Sequence, residues 1–350
     1  MMQEFDCIVI GGGQSALACA YYLRRTDINY VLLDANETAG GSWTKTWDSL
    51  TLFSPAEHSS LPGWMMPKSA GLFPSKQEVM DYLTAYEQKY NLPVQRGVEV
   101  NQVKKTNSGF EVQTNTGRYR CKALIAATGT YREQFIPEIK GKDLFEGVQI
   151  HSAQYVNEQP FKGKKVLIVG EGNSGAQILA EVSKVAECYW ATQKDPEFLP
   201  DDVDGRVLFD SASAIYYAKK QGKELDLKKI NLGNIVMVPT VKEARERGVL
   251  KSHGRLESLN RNEALWENVE PTQVDAIIWC TGFGYNTRFL NDIVTIDHRG
   301  KIATNGTRST EEPSLWLVGY GGWTGFASAT LIGVGRSARQ TVTEVVEALS

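Results

Sequence analysis

Phe5-Asp6-Cys7-Ile8-Val9-Ile10-Gly11-Gly12-Gly13-Gln14-Ser15-Ala16 is the stretch that decides the fold. Phe5 to Ile10 is a short, largely apolar run with β-branched residues, the pattern of a buried strand. A glycine turn follows at once, and Leu17 to Arg25 then reads as a helix with Ala, Leu and Tyr on its packing face. This is G-x-G-x-x-A in the strand–turn–helix setting that a dinucleotide fingerprint requires. Gly11 allows the tight turn, Gly13 lets the backbone approach a pyrophosphate, and small Ala16 lets the helix lie against the strand. Gln14 and Ser15 open the helix, whose free N–H groups and partial positive charge suit phosphates. A second apolar run, Tyr30 to Leu33, ends in Asp34, 21 residues after Gly13. A carboxylate there can accept hydrogen bonds from an adenosine ribose.

The pattern recurs. Lys165 to Val169 is an apolar strand, Gly170-Glu171-Gly172-Asn173-Ser174-Gly175 follows, and Ala176 to Ser183 continues as a helix. The next strand, Cys188 to Thr192, is followed by Gln193 and Lys194, where an acid would mark NAD and a basic group NADP. Gln193 can bond a ribose hydroxyl and Lys194 can meet a 2′-phosphate as a point charge. The expectation is weak discrimination between NADH and NADPH. Two dinucleotide folds in one chain, with hydride chemistry between them, suggest one flavin and one nicotinamide.

Leu124 to Gly129 (LIAATG) and Ala276 to Gly282 (AIIWCTG) are short apolar strands of one form, and they resemble the strands that re-enter the nucleotide domains of two-dinucleotide flavoproteins. Val98–Lys104, Gly109–Gln113 and Arg118–Cys121 alternate between turn signals and predict a small antiparallel meander. Ser75 with Glu78 makes a capping box ahead of a helix over Lys76–Tyr90. The fold class is therefore α/β, with two Rossmann-like domains and a small antiparallel β insertion. Residues 1–145 and 281–350 are expected to form the FAD domain, and residues 160–280 the NAD(P)H domain, with an insertion over about 196–261. Its lysine pairs, Lys219-Lys220 and Lys228-Lys229, read mainly as a solvated face; the functional alternative is a substrate-side lid or a homodimer contact. A final helix is expected around Ser337–Leu349.

The chain has 350 residues and a net charge of -3, which gives no electrostatic footprint for nucleic acid or an acidic membrane. No apolar run is long enough to span a bilayer. The N-terminus lacks the pattern of a secretion signal. Five cysteines include no C-x-x-C, and four histidines show no metal-ligand spacing, so no metal site is expected. A cytoplasmic location fits the odd cysteine count.

GGGQSA at 11, GGSW at 40, AATG at 126, FEGVQIHSAQY at 145, GEGNSG at 170 and CTGFG at 280 form an ordered set. The chain thereby resembles the class B flavoprotein monooxygenases, over nearly its whole length. Residues 145–155 fit F-x-G-x-x-x-H-x-x-x-Y, typical of flavin-containing monooxygenases. The nearest likeness is to short bacterial members that accept NADH as well as NADPH. The resemblance implies a cycle in which NAD(P)H reduces FAD, and reduced flavin with dioxygen forms a C4a-(hydro)peroxide. That species oxygenates a small soft nucleophile, such as a thioether or amine, or attacks a ketone. It also implies flavin-side roles for Gly40, Gly41, Ser42 and Trp43, for Thr128 and Gly129, and for Thr330. His151 and Tyr155 fall in the interdomain motif, where a structural role for the histidine competes with one in setting the domains' pose. Trp323 and Phe326 are candidate pocket walls, or else core aromatics. Leu52-Phe53-Ser54 departs from the family, many members of which carry Asn near the flavin; Phe53 has no amide to donate. The alternatives are a ferredoxin- or thioredoxin-reductase-like flavoprotein and a non-catalytic flavin redox sensor. A thioredoxin reductase needs a dithiol that the chain lacks. Phe53→Asn is expected to tighten the coupling of NADPH use to product and to lower hydrogen peroxide release. Unchanged coupling in paired product and peroxide assays would count against a role for Phe53.

Overall fold

In the computed structural model the described residues are 2–208, 234–325 and 327–350. Strand β1 (Gln3–Ile10) is an interior strand of the first sheet. Its last four residues, Cys7 to Ile10, are buried, as a strand covered on both faces requires. It pairs in parallel with β2 (Tyr30–Leu33) on one side and with β6 (Arg118–Ala126) on the other. Short β3 (Val94–Gln95) extends the sheet beyond β2. β4 (Val100–Thr106) and β5 (Gly109–Thr114) form an antiparallel meander with β6, as the alternation predicts.

The chain divides into two compact units. The first comprises Met1–Thr44, Pro55–Glu133 and Phe283–Ser350, and the second Lys45–Ser54 and Gln134–Gly282. In the first, helix α1 (Gln14–Leu23) is buried along nearly all its length, with Ala16, Ala18 and Ala20 allowing close approach. Helix α2 (Lys76–Lys89) begins at the expected capping box: Ser75 accepts from Glu78 N, and the Glu78 carboxylate accepts from Ser75 N. The bond from Ser75 N, with one from Ala70 N, draws the Glu78 pKa down to about 2.

The second unit holds a four-stranded parallel sheet in the order β7-β13-β8-β9. Its strands are β7 (Val148–His151), β8 (Lys165–Val169), β9 (Glu187–Ala191) and β13 (Ala276–Trp279). Helix α3 (Asn173–Val182) follows β8, and helix α4 (Pro239–Glu246) packs beside it. A three-stranded antiparallel sheet, β10 (Leu256–Leu259), β11 (Glu263–Trp266) and β12 (Thr272–Gln273), completes the unit. The alternation of these short strands is too brief to read from the sequence. In the first unit, β14 (Thr304–Asn305), β15 (Arg308–Ser309) and β16 (Leu315–Leu317) lead back to β6, and helix α5 (Leu331–Leu349) packs on α1.

The boundaries differ from the sequence expectation in three places. The first unit breaks at Glu133, not at about 145, because Phe145 packs with Leu167, Val169 and Trp279 of the second unit's core. Lys45–Ser54 joins the second unit, where the Phe53 carbonyl accepts from Gly205 N at 2.7 Å. Helix α5 starts at Leu331, six residues before Ser337. Gly333 and Gly335 disguise that first turn, but Thr330 caps it by accepting from Gly333 N at 3.0 Å. The lysine pairs at 219–220 and 228–229, and Phe326, lie outside the described residues. No described helix is long and apolar enough to cross a membrane.

Ser75→Ala is expected to cost about 1 kcal/mol of stability, the usual loss for an N-cap hydroxyl. Urea unfolding of the two proteins measures it, and an unchanged midpoint would remove the capping box from the account.

Candidate functional site

In the first unit, five segments converge on the N-terminus of α1. The turn Gly11–Gly13 leaves β1, and Gly13 is the N-cap of α1 with no side-chain capping bond. The first N–H groups of α1 therefore have no side-chain cap competing with an anion. A Cβ on Gly11 would lie 2.5 Å from Ala127 O, so the strand-end loop 126–129 passes directly under the turn. A Cβ on Gly41 would lie 2.8 Å from Gly13 Cα, which brings the G-G-x-W loop against the same turn. Trp43 Nε1 donates to Gln14 Oε1 at 3.3 Å, and Gln14 Nε2 donates to Ala329 O at 2.6 Å. Gln14 therefore ties the Trp43 loop to the segment that caps α5. Ser42 lies in the 3-10 turn of the same loop, between Gly41 and Trp43. Ser15 faces Gly319, where any side chain would collide with its hydroxyl.

Asp34 is buried at the end of β2. Arg96 forms ion pairs with both Asp34 and Glu87 of α2. Asp34 Oδ1 also accepts from Asn36 N at 3.2 Å and from its Nδ2 at 3.1 Å. Each carboxylate oxygen has two lone pairs, so with Oδ1 filled and Arg96 on Oδ2, one remains on Oδ2 for a ribose hydroxyl. Burial pushes the Glu87 pKa up, against the pull of Arg96. Sequence reasoning missed Arg96, which belongs to no motif.

Thr128 hydrogen-bonds Tyr320: its N–H donates to the phenol oxygen at 3.2 Å, and the two hydroxyls lie 2.7 Å apart. Burial pushes the Tyr320 pKa up to about 12, so the phenol stays neutral. Gly129 turns with φ +65° and would carry a Cβ into open space. Trp323 packs on Tyr285 and Tyr320 and donates its indole N–H to Thr304 Oγ1 at 3.0 Å. It is partly buried and packs against the core of the first unit.

The second unit repeats the first arrangement. Gly172 is the N-cap of α3, again without a side-chain capping bond. A Cβ on Gly170 would lie 2.3 Å from Cys280 O, and one on Gly175 would lie 2.1 Å from Gly170 O. The Trp190 indole donates to Gly170 O at 2.9 Å and holds the turn from below. Asn173 is occupied otherwise: its Oδ1 accepts from Val236 N at 2.9 Å and its Nδ2 donates to Asn234 O at 3.4 Å. It pins the chain that leads into α4. Ser174 sits in the first turn of α3. Gly170, Glu171 and Gly172 line a cavity of about 630 Å³ with Thr192, Gln193 and Lys194, a size suited to a small-molecule ligand. The Lys194 ammonium lies 3.8 Å from a Glu197 carboxylate oxygen.

His151, at the end of β7, is fully buried. Its Nδ1 accepts from Ala153 N at 3.1 Å, so Nε2 carries the proton and donates to Gly282 O at 3.0 Å. Burial lowers its pKa. The Tyr155 ring stacks on Phe161 and lies edge-on to Trp47. No group of His, Cys, Asp and Glu suited to a metal ion occurs among the described residues.

Both turns fit a dinucleotide: each offers an uncapped helix N-terminus close to a first glycine, Gly11 or Gly170, that no side chain could replace. The profile of the pyridine nucleotide-disulphide oxidoreductase family matches residues 8–319. A flavin-containing monooxygenase from Stenotrophomonas maltophilia superposes with a TM-score of 0.91 at 45% identity, and the match covers 100% of both chains. The chain belongs to the flavin monooxygenases of this family. It is a flavin-dependent oxidoreductase. The uncharacterized oxidoreductase CzcO of Bacillus subtilis is 33% identical, over 97% of this chain and 99% of its own. A probable indole-3-pyruvate monooxygenase of Arabidopsis thaliana, YUCCA8, is 32% identical over 59% of this chain and 51% of its own.

The His151 pKa lies below its ordinary 6.5, so the unfolded chain binds this proton more readily than the folded one. The stability it confers is complete above that value and is lost as the pH falls through the lowered folded value. Urea midpoints measured from about pH 8 to about pH 5 should drop on the acid side, and His151→Gln should flatten the drop. An identical pH slope in the variant would contradict this assignment. Gly41→Ala places a Cβ against Gly13 and strains a left-handed φ of +58°. A weakening of FAD retention by about tenfold is expected, read by flavin fluorescence, since such strain costs about 1–3 kcal/mol.

Proposed function

We propose that this enzyme is an NAD(P)H-consuming, FAD-dependent monooxygenase that oxygenates a small soft nucleophile, such as a thioether sulfur or an amine nitrogen. FAD is assigned to the first unit, with Gly11, Gly13, Gln14, Ser15, Ala16 and Asp34 at its phosphate and ribose end. Gly41, Ser42, Trp43, Thr128, Gly129 and Thr330 line the rest of its course. The nicotinamide nucleotide is assigned to the second unit, at Gly170, Gly172, Asn173, Ser174, Gly175, Gln193 and Lys194. The observation that carries this reading is the repetition of one turn, uncapped at a helix N-terminus and glycine-walled, in each unit.

When bound, FAD would supply the redox and oxygen-activating chemistry. The protein's part is to bind and orient. The N-termini of α1 and α3 receive phosphates, and Asp34 has one lone pair left on Oδ2 for a ribose hydroxyl. The phenol of Tyr320, neutral at working pH, holds the backbone of Thr128 where the strand-end loop turns. Asn173 supports the second site indirectly, by fixing residues 234–236.

A dithiol reductase is disfavoured by the chemistry of the cysteines. All five are unpaired. Cys280, which lines the second-unit cavity, has its thiol pKa pushed up by complete burial, the reverse of what an exchanging thiolate needs. Buried free thiols and a need for reduced nicotinamide both suit a cytoplasmic setting.

The test is a panel of thioethers, amines and ketones turned over under isotopically labelled dioxygen. The expected result is NAD(P)H-dependent label in a sulfoxide or N-oxide. Label in ketone-derived esters alone would move the assignment to Baeyer–Villiger chemistry. NAD(P)H oxidation that releases only hydrogen peroxide with every class would overturn it.

A further inference from the structure

The end of β9 carries Gln193 where an acid would select NAD, yet the second-unit cavity does hold a carboxylate at that point. Glu171, the variable residue inside the turn Gly170-Glu171-Gly172, reaches across to the strand end, and its Oε2 accepts from the backbone N–H of Gln193 at 3.3 Å. Both residues line the cavity, with Thr192 between the strand and Gln193. We infer that Glu171 is a specificity-determining residue that replaces the missing strand-end acid and turns the second site toward NADH over NADPH. This deepens the assignment of the nicotinamide nucleotide to the second unit and rests on it.

In a βαβ nucleotide fold the residue after the second strand meets the adenosine ribose, and its charge decides whether a 2′-hydroxyl or a 2′-phosphate is accepted. The Glu171 carboxylate lies within hydrogen-bond reach of that residue's own amide. It can accept from a 2′-hydroxyl and repel a 2′-phosphate. The surrounding charges do not reverse this. Glu138 and Glu197 also line the cavity, against Lys194 and Arg255. The Lys194 ammonium lies 3.8 Å from Glu197, which offsets the charge that a 2′-phosphate would use. The expectation of weak discrimination, drawn from Gln193 and Lys194 alone, is therefore revised toward NADH. A like-charge contact at a solvated site supports a preference of about tenfold.

Equilibrium binding to the FAD-loaded enzyme tests this without turnover. NAD+ and NADP+, and the fragments 5′-AMP and 2′,5′-ADP, are titrated against the native protein, Glu171→Gln and Glu171→Asp. The native protein should hold the unphosphorylated member of each pair about tenfold tighter. Glu171→Gln should abolish that ratio mainly by improving NADP+ and 2′,5′-ADP, and Glu171→Asp should keep part of it. Added salt should compress the native ratio and leave that of Glu171→Gln unchanged. Tighter NADP+ than NAD+ in the native protein would overturn the inference, and so would one ratio shared by the native protein and Glu171→Gln. If no nicotinamide nucleotide or fragment binds at all, the assignment of the second unit itself fails, a result distinct from an unchanged ratio.

Discussion

The uncapped N-terminus of a helix, set on a glycine turn at the end of a buried parallel strand, is the constraint on which the rest depends. Gly13 and Gly172 begin α1 and α3 with extended backbone and no side-chain capping bond. Helix N–H groups left in that state need an anion or water. The sequence around each turn is consistent with an anion: small residues below, a strand-end loop pressed against the first glycine, and polar groups at the end of the neighbouring strand. Backbone oxygens at 2.5 Å from a Cβ on Gly11 and at 2.3 Å from one on Gly170 show how little room the packing leaves on the protein side of each turn. The second glycines differ. A Cβ on Gly172 would meet nothing within 4 Å, and one on Gly13 only Gly41 Cα at 3.7 Å. The open side is where a ligand belongs.

Around this constraint the two units use different supports. In the first, Gln14 links the G-G-x-W loop to the chain entering α5, and the Thr128–Tyr320 pair joins the loop after β6 to the segment after β16. Arg96 adds a partly buried ion pair whose worth lies in fixing the Asp34 carboxylate, since removing Arg96 would strand that buried charge. In the second, Trp190 holds the turn from below and Asn173 ties α3 to the segment before α4. His151 contributes through position: its two ring nitrogens bond backbone on both sides, which leaves it neutral and rigid.

Much of this was legible in the sequence because local chemistry dictates it. The two G-x-G turns, the strands on either side, the capping box at Ser75 and the antiparallel meander all follow from residues within a few positions of one another. What was hidden depends on distant partners. Arg96 meets Asp34 from 62 residues away, and Glu171 reaches the end of a strand 22 residues on. No short pattern encodes such a meeting. Phe145 and Lys45–Ser54 belong to the second unit through packing, which apolar periodicity alone does not assign. Trp323 is held in the same long-range way, by packing on Tyr285 and a bond to Thr304, 19 residues away.

The central claim is that the two turns hold two different dinucleotides, and the open side of each turn gives the most direct measurement. Gly13→Val and Gly172→Val each fill the ligand side. The account predicts that the first variant loses FAD and the second keeps FAD but no longer binds NAD+, as measured by flavin content after gel filtration and by NAD+ titration. Loss of FAD from Gly172→Val, with NAD+ binding intact, or retention of both nucleotides by both variants, would contradict it.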